Sequence, residues 1–403
     1  MNRYMTAQEV ADELGIHITT VYAYVSRGLL RSEVAGDGTR TRRYYWEDVH
    51  ALKQRQEQRH HPEKAAESAL HFGTPVLESR LTLIAEGRLY YRGLDALELA
   101  QHQPIEAVAA LLWTGDLKAE VASLEGALEW PRDEVLLAVR YDWTPFERFQ
   151  ALLPLVALDD LAAYDLRPAS VIQAGARILR LLAALAAGPM VEANRIAQVL
   201  QQAWLPGQAD AAALIDMALV LCADHELNVS SFTARCVASA GSTPYSAVIG
   251  GLAALQGTKH GGSTERVAAF LREMGTPEQV RAALANRLKR GEGLPGFGHR
   301  LYPEGDPRGR LLLDALAHHG PDCEALRLAE AVIAAGNELV GEQPNIDFAL
   351  VIAAQALGMP PGAPLALFAL GRTVGWIGHA LEQYETDQLI RPRARYVGIQ
   401  PQT

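Results

Sequence analysis

From about Leu70 onward the chain repeats apolar residues, mostly Ala and Leu, at three- and four-residue spacing, broken by short Gly/Pro interruptions. That period places the apolar side chains on one face of successive α-helices, with few β-branched runs to favour strands. Helices are expected over Pro104–Leu112, Thr144–Leu153, Ser170–Ala187, Val191–Gln202 and Asp210–Leu221. The exception is Leu81–Arg92, where alternation around Gly87 predicts a small hairpin. An Ala-rich helical body lets helices approach closely, so the fold class expected is mainly α. At 403 residues the chain is long enough for more than one domain, and 49% apolar against 21% charged residues excludes disorder as its main state. The most apolar stretches, Val171–Val191 and Ala363–Ile377, are interrupted by Arg or Gly or are too short, so no membrane span is expected. Glu9, Asp12 and Glu13 fall where a secretory leader would run. Cys222, Cys236 and Cys323 lack metal-ligand spacing and cannot all pair, which fits reduced thiols in a cytoplasm.

Charge divides the chain unevenly. Residues 1–64 carry ten Lys/Arg against nine Asp/Glu, while the remainder has a net charge of −11. Thr6 with Glu9 forms a capping-box signature, Val10, Ala11 and Leu14 recur at helical spacing, and Gly15 can end that first helix. Thr19 then starts a second helix, Thr20–Arg27, stopped by Gly28. Gly36-Asp37-Gly38 marks a hairpin tip, followed by a strand-like Tyr44-Tyr45 and a helix from Glu47 to about Gln58. In this order, "TVYAYVSRGLL" and "TRTRRYYWEDVHAL" resemble the winged helix-turn-helix of the MerR and excisionase families. The resemblance implies a DNA-facing surface of Thr19, Thr20, Tyr22, Tyr24, Ser26 and Arg27, with Arg40, Arg42 and Arg43 on phosphates. Such modules also serve as dimerisation or docking arms, and both readings stay open. The expected division is a winged helix-turn-helix over 1–60, a linker over 61–69 and a helical body over 70–403.

Within the body, histidines stand in Gly-rich or polar breaks: His225 in "CADHELNVSSFTAR", His260 in "GTKHGGSTE" and His299 in "GLPGFGHRLYPEGDPRGR". Asp347 follows in "EQPNIDFAL" and Arg372 in "GRTVGWIGHALEQ". Glycines beside a histidine permit turns that bring a substrate against the imidazole. Histidine suits proton transfer near neutral pH, and arginine clamps carboxylates. The histidines lie in separate segments with no carboxylates at ligand spacing, so no metal site is expected.

These segments, with the earlier "VLESRLTLIAEGRLYYRGLDALELA" and the later "IRPRARYVG", are similar in content and order to the citrate synthase family over roughly residues 75–398. The resemblance implies large and small helical domains, the small one mobile over about 264–348. It implies a keto-acid such as oxaloacetate held by His225, His299, Arg308, Arg372 and, from a partner subunit, Arg391. Asp347 would deprotonate the acyl-CoA, His260 would hydrogen-bond the thioester oxygen, and His299 would protonate the keto oxygen. Acyl-CoA is implied as cosubstrate near Gly296, Gly298 and Arg300, with no permanently bound cofactor, and at least a homodimer is implied. The product would be citrate or 2-methylcitrate. The alternative is a DNA-binding regulator whose body only senses a CoA ester or tricarboxylate. The chain departs from the family pattern at Lys259, at Pro303 in place of a basic residue, and in "ALVIAAQALG" after Asp347.

Overall fold

The computed structural model describes residues 4–34, 42–46, 48–49, 52, 77–124, 140, 142–188, 193–319 and 323–401. They fall into two units, Met1–Glu78 and Ser79–Thr403. In the first, β1 (Tyr4–Thr6) leads into α1 (Ala7–Leu14) through the expected capping box: Thr6 Oγ1 accepts the Glu9 N–H while the Glu9 carboxylate accepts the Thr6 N–H at 2.7 Å. Gly15, at φ +62°, ends the helix in the left-handed region that a Cβ disfavours. The second helix, α2, runs Ile18–Ser26, starting before Thr19. Its N-cap is His17, which makes no side-chain cap bond; the extended backbone there turns the chain without needing a hydroxyl. Strands β2 (Ser32–Val34) and β3 (Arg42–Tyr45) complete an antiparallel sheet of order β1-β3-β2. Val10, Ala11, Leu14, Val21, Leu30, Tyr44, Val49 and Leu52 form its core. The 36–38 tip, Arg40 and the linker lie outside the described residues, as does most of the helix expected over 47–58.

The second unit opens with the expected hairpin. Strands β4 (Thr82–Ala85) and β5 (Arg88–Tyr91) pair across Glu86 and Gly87, both at positive φ (52° and 73°), and β6 (Leu94–Asp95) extends the sheet. Helices follow in the expected order with shifted ends: Ile105–Thr114, Pro145–Ala157, Pro168–Ala187, Ile196–Trp204 and Ala211–Cys222. Pro145–Ala157 continues through Pro154, beyond the end expected at Leu153. The fourth begins at Ile196, because Arg195 is still extended; Val191, the expected start, lies outside the described residues. Pro168–Ala187 does pass a length-and-hydropathy test for a membrane span, contrary to expectation, but 72% of that apolar window is buried within the fold. It is a core helix.

The axis of this unit is Ala363–Thr386, buried almost all round from Ala363 to Gln383. Its glycines permit that enclosure. A Cβ at Gly371 would stand 2.4 Å from the Leu219 carbonyl oxygen and one at Gly375 would stand 2.5 Å from that of Ala223, so Ala211–Cys222 lies directly against the axis. Gly251 similarly lets the helix Pro244–Leu255 meet the Trp376 ring. This packing fixes Arg372 in mid-helix, beside the Cys222 end of the neighbouring helix, whose carbonyl accepts its Nε–H at 2.8 Å.

Candidate active site

The site is assembled from helix ends. After Cys222 the chain leaves its helix through Asp224 and His225, and Asn228 caps the next helix, Val229–Ser239, by accepting the N–H groups of Ser230 and Ser231. His260 sits in the turn before Ser263–Met274. Asn345 caps Ile346–Leu357, which places Asp347 in that helix's first turn. The 296–298 loop is pinned beside it: Asn345 N–H donates to Gly296 O at 2.8 Å, and Gly298 N–H donates to Gln343 O at 2.9 Å. Gly296 (φ +81°) and Gly298 (φ +74°) supply the left-handed backbone, and a Cβ on Gly296 would collide with Val267 and Phe348.

His225 and His299 approach ring to ring at 5.2 Å, and Tyr302 joins them at 5.6 Å and 4.8 Å. Burial and the neighbouring Arg308 and Arg372 push the His225 pKa well below the usual histidine value. Burial and Arg308 lower His299 to about 4, and burial and Arg372 lower His260 to about 3. All three are therefore neutral at pH 7. The Leu301 N–H donates to His299 Nδ1 at 3.2 Å, leaving the ring proton on Nε2. His260 Nε2 lies 2.8 Å from Ser230 Oγ, which accepts the Trp376 indole N–H at 3.1 Å. The Ser230 hydroxyl has two acceptors at 2.8 Å, Asn228 Oδ1, which also takes two backbone N–H groups, and His260 Nε2; when it donates to His260, the imidazole proton sits on the opposite nitrogen.

The charged groups are enclosed. Arg308 donates from Nε and Nη2 to Asp306 at 3.0 and 2.8 Å, and Asp306 also accepts the Ile346 N–H at 3.1 Å. Burial opposes the Arg308 charge, yet Asp306 holds the guanidinium more firmly protonated than usual. Behind His225, Asp224 lies 3.2 Å from His379 and accepts the Thr82 hydroxyl at 2.5 Å. Burial works to raise the Asp224 pKa, but His379 and Arg372 outweigh it and keep the group ionised. Asp347 differs. Its Oδ1 is shut off from solvent without a hydrogen-bond partner, and burial raises the carboxyl pKa to about 7 against the pull of Arg308. A carboxyl poised at neutrality, beside two guanidinium groups and neutral imidazoles, can take a proton from carbon while an anionic substrate is held.

His225, His299, Arg308, Arg372, Asp347 and His260 thus gather in one place. Arg391 does not join them here; it lies in an exposed stretch outside helix and strand after the axial helix. Arg300 and Lys259 are exposed, and Arg310 donates to the Glu304 carbonyl. A cavity of about 240 Å³ beside Asp306, between Pro307–His319 and Glu324–Val340, is lined by none of the histidines. Among the described residues no cluster of three or more His, Cys, Asp or Glu could hold a metal. Sequence reasoning passed over Tyr302, Ser230, Asp306 and Trp376. All four lay inside its quoted motifs, but their roles arise from partners distant in the chain.

Fold and site together describe an enzyme whose half-buried centre gathers proton-transfer groups and cationic groups suited to an anion. The family model described as citrate synthase, C-terminal domain, matches residues 70–393, and the chain belongs to the citrate synthase family. It is a transferase of that type. The citrate synthase of Haloferax volcanii is 33% identical over 367 residues, covering 81% of this chain and 94% of that protein. The 2-methylcitrate synthase of Shewanella oneidensis is 34% identical over 192 residues, covering 47% of this chain and 51% of that one. Among solved structures, the Thermotoga maritima citrate synthase superposes with a TM-score of 0.71 at 27% identity, covering 82% and 96% of the two chains. The Thermoplasma acidophilum enzyme, in a ternary complex with carboxymethyl coenzyme A and oxaloacetate, gives 0.70 at 25% identity, covering 84% and 97%.

Proposed function

We propose that this chain condenses the acyl group of an acyl-CoA, acetyl or propionyl, with oxaloacetate and hydrolyses the resulting thioester. The products are CoA and citrate or 2-methylcitrate. CoA enters and leaves as a cosubstrate, and no permanently held cofactor is required. The observation that carries the reading is the half-buried Asp347 carboxyl, whose Oδ1 is shut off from solvent without a hydrogen-bond partner, under the influence of Arg308 and Arg372.

In this mechanism Arg308, Arg372, His225 and His299 hold the keto diacid, joined by Arg391 of a second copy. Asp347 takes the α-proton of the acyl-CoA. His260, its proton directed away from Ser230, donates to the thioester oxygen and stabilises the enol. The enol carbon then attacks the keto carbon, and His299 Nε2–H passes its proton to the developing alkoxide. Water finally cleaves the thioester. A small subdomain over about 264–348, carrying His299 and Asp347, closes to keep water out until the carbon–carbon bond has formed. Gly296, Gly298 and Arg300 lie toward the CoA. The second copy also gives the C-terminal stretch a surface: Leu389, Tyr396, Val397 and Ile399 are 61–91% exposed in the single chain. Three free cysteines favour a reducing, cytoplasmic setting.

Purified protein should release thiol from acetyl-CoA or propionyl-CoA only when oxaloacetate is present, and the ratio of the two rates names the acyl group. Thiol release that ignores oxaloacetate, or none at all, overturns the reading. The sensor alternative leaves Asp347 without a role, since a body that only binds has no need of a carboxyl poised near neutrality.

The N-terminal unit is a separate matter. We read residues 1–60 as a winged helix-turn-helix that docks on DNA, joined to the body by 61–69. Support comes from the β1–α1–α2–β2–β3 order and from α2, where Thr19 and Tyr22 are exposed and Thr20 is half-buried, with Arg27 exposed just past its end. Arg42 and Arg43 are exposed on β3. Full-length protein should bind duplex DNA at low salt, and replacing Arg27, Arg42 and Arg43 by Ala should weaken binding roughly tenfold or more and flatten its salt dependence. Equal affinity of the triple variant would remove this assignment.

A further inference from the structure

Tyr302 is 2% exposed and packs against both histidines of the proposed keto-acid site, its hydroxyl 3.0 Å from His225 Nε2. Its ring stands against His299, and the Arg308 guanidinium carbon lies 5.6 Å from its centroid. We propose that Tyr302 is a substrate-binding residue of this enzyme: His225 Nε2–H donates to the phenol oxygen, and the phenol O–H donates onward to the keto diacid. This deepens, and rests on, the condensation reading.

The geometry supports it in three ways. First, a neutral imidazole has one N–H, and one carried on Nε2 and given to Tyr302 would leave the phenol proton free for another acceptor. Second, the phenol keeps its proton at every working pH, because burial raises it to about 12. Third, the acceptor would be anionic and held by Arg308, whose charge lies across the same ring. Tyr302 therefore carries the hydrogen-bonding reach of His225 into the space between His225, His299 and Arg308. A ring placed only for packing would need no hydroxyl at that spot.

The test compares wild type with Tyr302→Phe in steady-state kinetics and in oxaloacetate titration without acyl-CoA. The expected result is a rise of about tenfold in oxaloacetate KM and Kd, the loss of one hydrogen bond to a charged group. kcat should change less than about threefold and the acyl-CoA KM should be unaltered. Because Tyr302→Phe can also disturb packing, 4-fluorophenylalanine in place of Tyr302 serves as a second variant that fills the hydroxyl's space without donating. It should reproduce the oxaloacetate defect, and 4-aminophenylalanine, which can donate, should relieve it. Oxaloacetate KM and Kd within about twofold of wild type in both non-donating variants overturn the inference while leaving the condensation intact. A defect that the donor analogue fails to relieve overturns it too, since that behaviour belongs to packing. Wild-type protein that neither binds oxaloacetate nor turns over fails at the earlier step and takes this inference with it.

Discussion

Asp347→Asn is expected to lower kcat by about 10³-fold while oxaloacetate still binds, since general-base catalysis contributes roughly 10²–10⁴-fold. The same substitution should make the protein more stable in alkali. In the folded chain burial raises the Asp347 pKa from 3.8 to about 7. A carboxyl raised in this way favours the folded state fully at pH values below the unfolded pKa. That advantage is lost as pH climbs towards and through the folded value. At pH 8 the ion then costs on the order of 4 kcal/mol relative to acid conditions, and Asn does not carry that cost. The melting temperature of Asp347→Asn should therefore exceed that of wild type at pH 8, with the gap closing towards pH 4. In the active protein the same group should give kcat/KM for the acyl-CoA an acid limb centred near pH 7, falling about tenfold per unit below it. Wild-type turnover in the variant would remove Asp347 from the base role. A melting difference independent of pH would show that the carboxyl is not held near neutrality.

The second large effect concerns Asp306. Its side chain and that of Arg308 are 0% and 3% exposed, and their ion pair is made through two N–H donors at 3.0 and 2.8 Å. Asp306→Ala would strand the buried guanidinium and leave the Ile346 N–H without its acceptor. Removing one partner of a buried pair costs about 3–5 kcal/mol, and a chemical-denaturation midpoint should fall accordingly. A double change, Asp306→Leu with Arg308→Met, replaces the pair by apolar volume, so stability should recover while oxaloacetate affinity stays lost. That split would show that the pair is kept for its charge at the substrate rather than for the fold. A destabilisation below about 1 kcal/mol for Asp306→Ala would mean the arginine finds another partner.

These two residues differ in how they could be found. Asp347 stands in a short motif behind Asn345 and Pro344, so its order in the chain pointed to it at once. Asp306 was equally visible in "GDPR", yet nothing local says that its second acceptor position serves Ile346, forty residues on. Tyr302 with His225, and Ser230 with Trp376, are 77 and 146 residues apart. Such pairings follow from which helices pack together. The shifted ends of α2, Ile196–Trp204 and Pro145–Ala157 have a related cause: neighbouring packing and backbone capping settle the last turn, while periodicity only locates the middle of a helix.

The amino-acid order by itself determined the helical class of the body, the hairpin around Gly87, the capping box at Thr6 and the family to which the chain belongs. It also supplied the identity of the groups that meet at the site. Each of these is written in local spacing or in a contiguous motif, where near neighbours and backbone preference carry the information. Only the tertiary structure decided the protonation of those groups and the company they keep. Neutral histidines, a carboxyl near pH 7 and a phenol against His225 all depend on desolvation and on charges brought from distant segments. Both are properties of the packed interior that no stretch of chain has alone.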